Sequence, residues 1–134
     1  MPENLFDLEI VCPDRVFYKG QASMIELNTT EGEVGIYKGH EPMTLIIAPG
    51  VCLITEGDEK KKAAVHGGII EILADKITIL AEVAEWPEEI DVARATEAKE
   101  RAEKRLSELS SDTDIARART ALSRSFARLY IANK

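Results

Sequence analysis

The chain has 134 residues, 45% of them hydrophobic, and a formal net charge of −7 at pH 7. That length suits one domain, or a core domain with a small appendage, and supplies enough apolar material for a real core. The acidic balance argues against a nucleic-acid partner. The longest apolar stretch, residues 43–54, is interrupted by Pro49-Gly50 and is too short to span a bilayer.

Met1-Pro2-Glu3-Asn4 carries acid where a secretory signal carries base, so no leader is expected. Up to about Trp86 the apolar residues recur with a short period. Candidate strands fall at 5–12, 16–18, 22–29, 34–36, 44–48, 51–55, 62–66, 69–73 and 76–83. Turn signals separate them: Pro13-Asp14, Lys19-Gly20, Pro49-Gly50, Gly57-Asp58, Gly67-Gly68 and Ala74-Asp75. Many short strands with regularly spaced turns predict an antiparallel sandwich or flattened barrel over residues 1–86. The pair Gly67-Gly68 inside a strand pattern predicts a bulge or sharp bend. Cys12 and Cys52 are expected as reduced core thiols, and the cysteines and histidines show no metal-ligand spacing.

The segment Gly32-Glu33-Val34-Gly35-Ile36-Tyr37-Lys38-Gly39-His40-Glu41-Pro42 is dense in residues that make tight turns. No Lys-Ser/Thr pair follows it, so it is no P-loop, and no strand-to-helix pattern makes it a dinucleotide turn. A β-corner is the physical reading.

From Pro87 the period becomes helical. Pro87 is a helix-start signal and Asp91 a good N-cap. Ala95, Ala98, Ala102, Leu106 and Leu109 form one stripe. After a polar break, Ile115, Ala118, Leu122, Phe126 and Leu129 form a second. Residues 87–134 therefore read as an αα-hairpin, with helices at about 88–109 and 113–132. At about 100° per residue Arg117, Arg124 and Arg128 share one stripe of the second helix, opposite its apolar face. No acid follows Asp114, so these guanidiniums have no partner later on their own helix, which suits phosphates or carboxylates from elsewhere. The alanine seam buries little area, so the hairpin is expected to be weakly held and able to open.

Read in order, these segments resemble the epsilon subunit of bacterial and chloroplast-type F-type ATP synthases. GEVGIYKGHEPM matches that family's signature of the form GE-apolar-GI-x-x-GH-x-P-apolar. Ala48-Pro49-Gly50, then Gly67 to Glu71, then Ile79-Leu80-Ala81 follow in family order, and Ile90-Asp91-Val92-Ala93-Arg94-Ala95 matches the Ile-Asp-x-x-Arg-Ala motif. The resemblance implies a ten-stranded antiparallel β-sandwich or flattened barrel followed by the αα-hairpin. It implies a rotor-stalk subunit beside the gamma subunit and above the c-subunit ring, peripheral on the cytoplasmic face of the cell membrane and touching the membrane only through the complex. Its role would be to couple ion flow to rotation and to restrain ATP hydrolysis through a mobile C-terminal arm that reaches the catalytic beta and alpha subunits. It would have no active site and no required cofactor.

Some members of that family bind ATP as a regulatory ligand in the hairpin. Carried over by motif, the residues are Glu85, Asp91, Arg94, Arg101, Arg117, Arg124 and Arg128; the c-ring contact would involve Glu31, Glu33 and His40. Many members have Pro where Lys38 stands, which bears on the detail of that contact. The alternative is a stand-alone ATP-binding sensor whose hairpin the nucleotide stabilises. A hydrolase using His40 or His66 would need a Ser/His/Asp or Cys/His constellation, and the sequence offers none that can be placed.

Overall fold

A computed structural model describes residues 4–108 and 112–133. The strands are β1 (Phe6–Cys12), β2 (Arg15–Ala22), β3 (Met24–Thr29), β4 (Gly32–Ile36), β5 (Met43–Ile46), β6 (Gly50–Glu56), β7 (Glu59–Ile72) and β8 (Lys76–Glu85). A 3-10 turn at Pro87–Glu89 leads to α1 (Val92–Glu108) and α2 (Asp112–Asn133).

There are eight strands among the described residues, not ten, in the order β2-β1-β8-β7-β6-β3-β4, with β5 also on β7. The two candidate strands on either side of Gly67-Gly68 are one strand, β7, 14 residues long. Its first half pairs with β6 and its second half with β5, while β8 runs along its other edge. The path ends at β2 and β4, so the sheet folds over on itself as a sandwich and does not close. The pairing is antiparallel except between β1 and β8, which run parallel.

The glycine pair makes a bend, not a register shift. Gly67 and Gly68 have φ +79 and +111, and pairing with β8 keeps its register on both sides. Before the bend the core-facing residues of β7 are Ala63 and Val65; after it they are Ile70 and Ile72. The bend thus passes the inward face from odd to even positions. A Cβ on Gly68 would run into the Leu80 carbonyl oxygen, so the corner requires glycine twice over, for φ and for space.

Between the folded layers lie Phe6, Leu8, Ile10, Ile25, Ile36, Ile54, Ile70, Ile72, Ile77 and Ile79, each about fully buried. Cys12 and Cys52 are free buried thiols in the same core. Ala63 through His66 are buried consecutively, because this stretch of β7 is covered on both faces. Ala63 and Val65 face the sandwich core, whereas Ala64 packs with Ala127 and Ile131 of α2, flanked by Val51 and Ile90.

The first α-helix starts at Val92, later than position 88. Pro87 opens the 3-10 turn instead, in which the Trp86 N–H donates to Glu89 Oε1 at 2.9 Å. Asp91 then caps α1: the Arg94 N–H donates to Asp91 Oδ1 at 3.1 Å. Position 109, the expected end of that helix, lies outside the described residues. Among the described residues the hairpin's other buried positions are Ala95, Ala102, Ala118 and Ser125, small residues that let two helices approach closely. Phe126, expected on the apolar stripe, is half exposed beneath Lys99, whose Nζ lies 5.6 Å from the ring centroid. The reason is that α2 has two neighbours. One face meets α1 and another meets the sheet, and Phe126 falls between them.

Candidate functional site

The sheet-facing side of α2 is the arginine side. Arg124 and Arg128 are half-buried against the sandwich, not solvated; Arg117 is exposed. Arg128 Nε donates to Glu85 Oε1 at 2.7 Å, so its partner comes from β8, out of sight of a single-helix reading. Arg124 Nε is buried with no hydrogen-bond partner among the described residues.

Where α1 leaves the sandwich, a cleft of about 410 Å³ opens. Glu85, Asp91, Arg94, Arg101 and Arg128 line it, with Glu89, Ile90, Ala95 and Ala98. Five of the seven residues proposed for nucleotide thus share one cavity. Arg117 and Arg124 do not line it.

Its carboxylates are already committed. Glu89 receives Arg15 in a fork, Nη1 to Oε2 at 2.8 Å and Nη2 to Oε1 at 2.9 Å. That pairing holds the Glu89 carboxyl below the usual carboxylate range. Asp91 caps the helix. At Glu85 burial works to raise the carboxyl, but the neighbouring His66 ring and Arg128 guanidinium outweigh it and hold it down to about 2. The Arg94 and Arg101 guanidiniums have no carboxylate partner among the described residues. A cleft with three arginine forks and satisfied acids suits a polyanion.

His66 does not line the cleft, but it lies behind Glu85, a neighbourhood that the sequence did not reveal. It is fully buried under α2, with Nε2 3.6 Å from Glu85 Oε1. Neither ring nitrogen has a hydrogen-bond partner among the described residues. The available signal was parity, since Ala64 and His66 share the face of β7 that lies under α2. Reading it required knowing that a helix covers that face.

The other proposed contact residues sit on two separate loops. Glu31 and Glu33 are exposed at the β3–β4 turn, where the Thr30 N–H donates to the Ile46 carbonyl at 2.9 Å. His40 is half-buried in the segment before β5, with Nδ1 2.8 Å from the Glu41 carbonyl oxygen. That segment is anchored elsewhere, by the Gly39 N–H to the Ala74 carbonyl at 2.6 Å. Among the described residues no cluster could hold a metal ion, and no helix is long and apolar enough to cross a membrane.

Two family profiles match in tandem: the β-sandwich domain of the ATP synthase delta/epsilon chain over residues 5–87, and its long α-helix domain over 88–133. The ATP synthase epsilon chain of Caldanaerobacter subterraneus subsp. tengcongensis is 44% identical over 133 residues, 98% of this chain and 96% of its own length. That of Brevibacillus brevis is 50% identical over 109 residues, 80% of this chain and 82% of its own. A chain in the Euglena gracilis mitochondrial ATP synthase shares the fold, with a TM-score of 0.81 at 24% identity, over 97% of this chain and 82% of that one. With sandwich and hairpin both matched, in order and over nearly their full length, the chain belongs to the ATP synthase delta/epsilon chain family.

Proposed function

We propose that the protein is the epsilon subunit of a rotary F-type ATP synthase, a non-catalytic part of the central stalk. It joins the gamma subunit to the c-subunit ring and couples ion movement to ATP synthesis and hydrolysis. One structural observation supports docking on a partner. Ile46 pairs with Ile69, Ile69 with Leu80, Leu80 with Val11 and Val11 with Val16, making one row across five strands. Ile46, Ile69, Leu80 and Val16 are 59%, 39%, 49% and 56% exposed. Val11 between them is half-buried, and an aliphatic row with four of its five members exposed suits a permanent partner better than water. Glu71 and Glu82 are exposed nearby on β7 and β8, and Glu9 is half-buried on β1, so the matching gamma surface would be apolar with a basic rim.

The Glu31–Glu33 turn and the His40 segment are the proposed c-ring contacts. The hairpin is the proposed brake: undocked, α2 presents its arginines to acidic surfaces of the catalytic beta and alpha subunits, and ATP in the cleft favours the docked form. A stand-alone ATP sensor would need none of the gamma contact.

Copurification separates the two readings. The rotor reading expects the subunit to retain gamma without nucleotide and Leu80→Glu to lose it while staying folded. Equal retention by Leu80→Glu would move the interface elsewhere, and no retention by the native chain would favour the sensor. Cysteine at Glu33 should cross-link to a c-subunit loop. Removing the hairpin should raise ATP hydrolysis by the assembled enzyme, and unchanged hydrolysis under latent conditions would remove the brake.

A further inference from the structure

We propose that His66, enclosed between β7 and α2, is a proton-operated release for the hairpin: neutral it permits docking, and protonated it expels α2 from the sheet. The charges around it decide the direction. Glu85 of β8 is the anion that faces it, and Arg124 and Arg128 of α2 are the cations. The nearest atom of Glu85 is 3.6 Å away and already accepts from Arg128 at 2.7 Å. A proton on His66 would therefore put a third cation beside a single, already paired carboxylate in a site closed to water. An imidazolium so placed would find near Nε2 only Glu85 Oε1, 3.6 Å away and already bonded to Arg128, and near Nδ1 no hydrogen-bond partner among the described residues.

The cover over His66 is the movable element. Ala64, on the same face of β7, is sealed by Ala127 and Ile131 of α2. When α2 leaves, His66 lies on the outer face of the sheet and meets water, where a histidine titrates near its ordinary value of about 6.5. In the docked form burial pushes the ring below that value, helped by Arg128 and Arg124 and opposed by Glu85. The docked state binds fewer protons than the open one. Docking is thus at full strength above about pH 6.5 and weakens as pH falls, by at most about tenfold per unit. Glu85 cannot mimic this effect in the same window, because its carboxyl is held down to about 2.

The test is hydrogen exchange of the α2 amides in the full chain without nucleotide, at pH 7.5 and 5.5, each rate referred to its intrinsic value. Protection should fall by about tenfold on acidification. The His66→Gln variant should lose that dependence. Titration of the His66 ring in the native chain, followed by NMR, should give a midpoint below the ordinary one, and this measurement decides if the variant does not fold. Protection that stays constant or rises in the native chain, a fall that persists in His66→Gln, or an ordinary or raised midpoint would each overturn the proposal. The experiment uses the free subunit, so its failure leaves the rotor reading untouched.

Discussion

Arg128 of α2 and Glu85 of β8, 43 positions apart, are joined by a 2.7 Å bond, and this bond ties the hairpin to the sandwich. Both side chains keep about a quarter of their surface exposed, 27% and 25%, so solvent screens the pair. A double-mutant cycle with Arg128→Ala and Glu85→Ala should give a coupling of about 1 kcal/mol, read as hairpin protection in hydrogen exchange. Glu85 has a depressed carboxyl, at about 2 against 4.5, so its support is present above pH 4.5 and disappears as pH falls toward about 2. A cycle repeated in the His66→Gln background at pH 4.5 and at pH 7, where only the carboxylate can titrate at this contact, should give equal coupling. Coupling already lost at pH 4.5 would mean that the bond is not what holds the carboxyl down.

Gly68→Ala should be among the most damaging single-methyl changes in this chain. Its φ of +111 is strained for any residue with a Cβ, and the added carbon meets the backbone of Leu80 and Ala81 rather than a yielding side chain. Strain and overpacking together should cost about 3 kcal/mol. Gly57→Ala is the control, since Gly57 has φ +61 with open space around it. Urea melts showing the two variants equally stable would mean that the bend can relax.

The sandwich should fold without the hairpin, and its contacts predict that residues 87–89 belong with it. Trp86 stacks on Phe17 with centroids 4.2 Å apart and planes at 16°, and Arg15 grips both Glu89 and the Ala84 carbonyl. The 3-10 turn is thereby tied to the sheet, though it also touches α2, and the truncations test whether the hairpin separates at Ile90-Asp91. A chain ending at Glu89 should unfold cooperatively in urea. One ending at Glu85 should lose about 2 kcal/mol more, the scale of a stacked aromatic. Equal stability of the two would shift the pivot back toward Glu85.

The sandwich-plus-hairpin plan was legible because periodicity reports burial directly, and the switch at Pro87 is abrupt. The strand number was not, because Gly67-Gly68 reads as punctuation while the ladder runs straight through it. Asp91 was legible as a cap because capping is local. The Arg128–Glu85 pair, the Arg15–Glu89 fork and the place of His66 were not, because each partner lies more than 40 positions away or across an interface. Helical geometry put Arg117, Arg124 and Arg128 on one stripe correctly. It could not show that the stripe is laid against the sheet, which leaves Arg117 in water and buries Arg124 Nε.

The cleft makes the nucleotide proposal specific. Arg94 and Arg101 line it without carboxylate partners among the described residues, so their guanidiniums are the ones ready for phosphates. Arg128 lines it too, but a phosphate must compete there with Glu85. Losing one charge-assisted contact costs about 1.5–3 kcal/mol, so Arg94→Ala and Arg101→Ala should each weaken ATP binding by roughly ten- to a hundredfold. Arg117→Ala, exposed and outside the cleft, should change it much less. ATP at about 100 times its dissociation constant would stabilise the docked hairpin by about 2.7 kcal/mol, enough to decide the state of an alanine-seamed pair of helices. Calorimetric titration of the native chain and the three variants tests this, with α2 protection measured in parallel. No heat at millimolar ATP would remove the nucleotide proposal. Equal binding by Arg101→Ala would move the site out of this cleft, and binding without added α2 protection would separate the ligand from the brake.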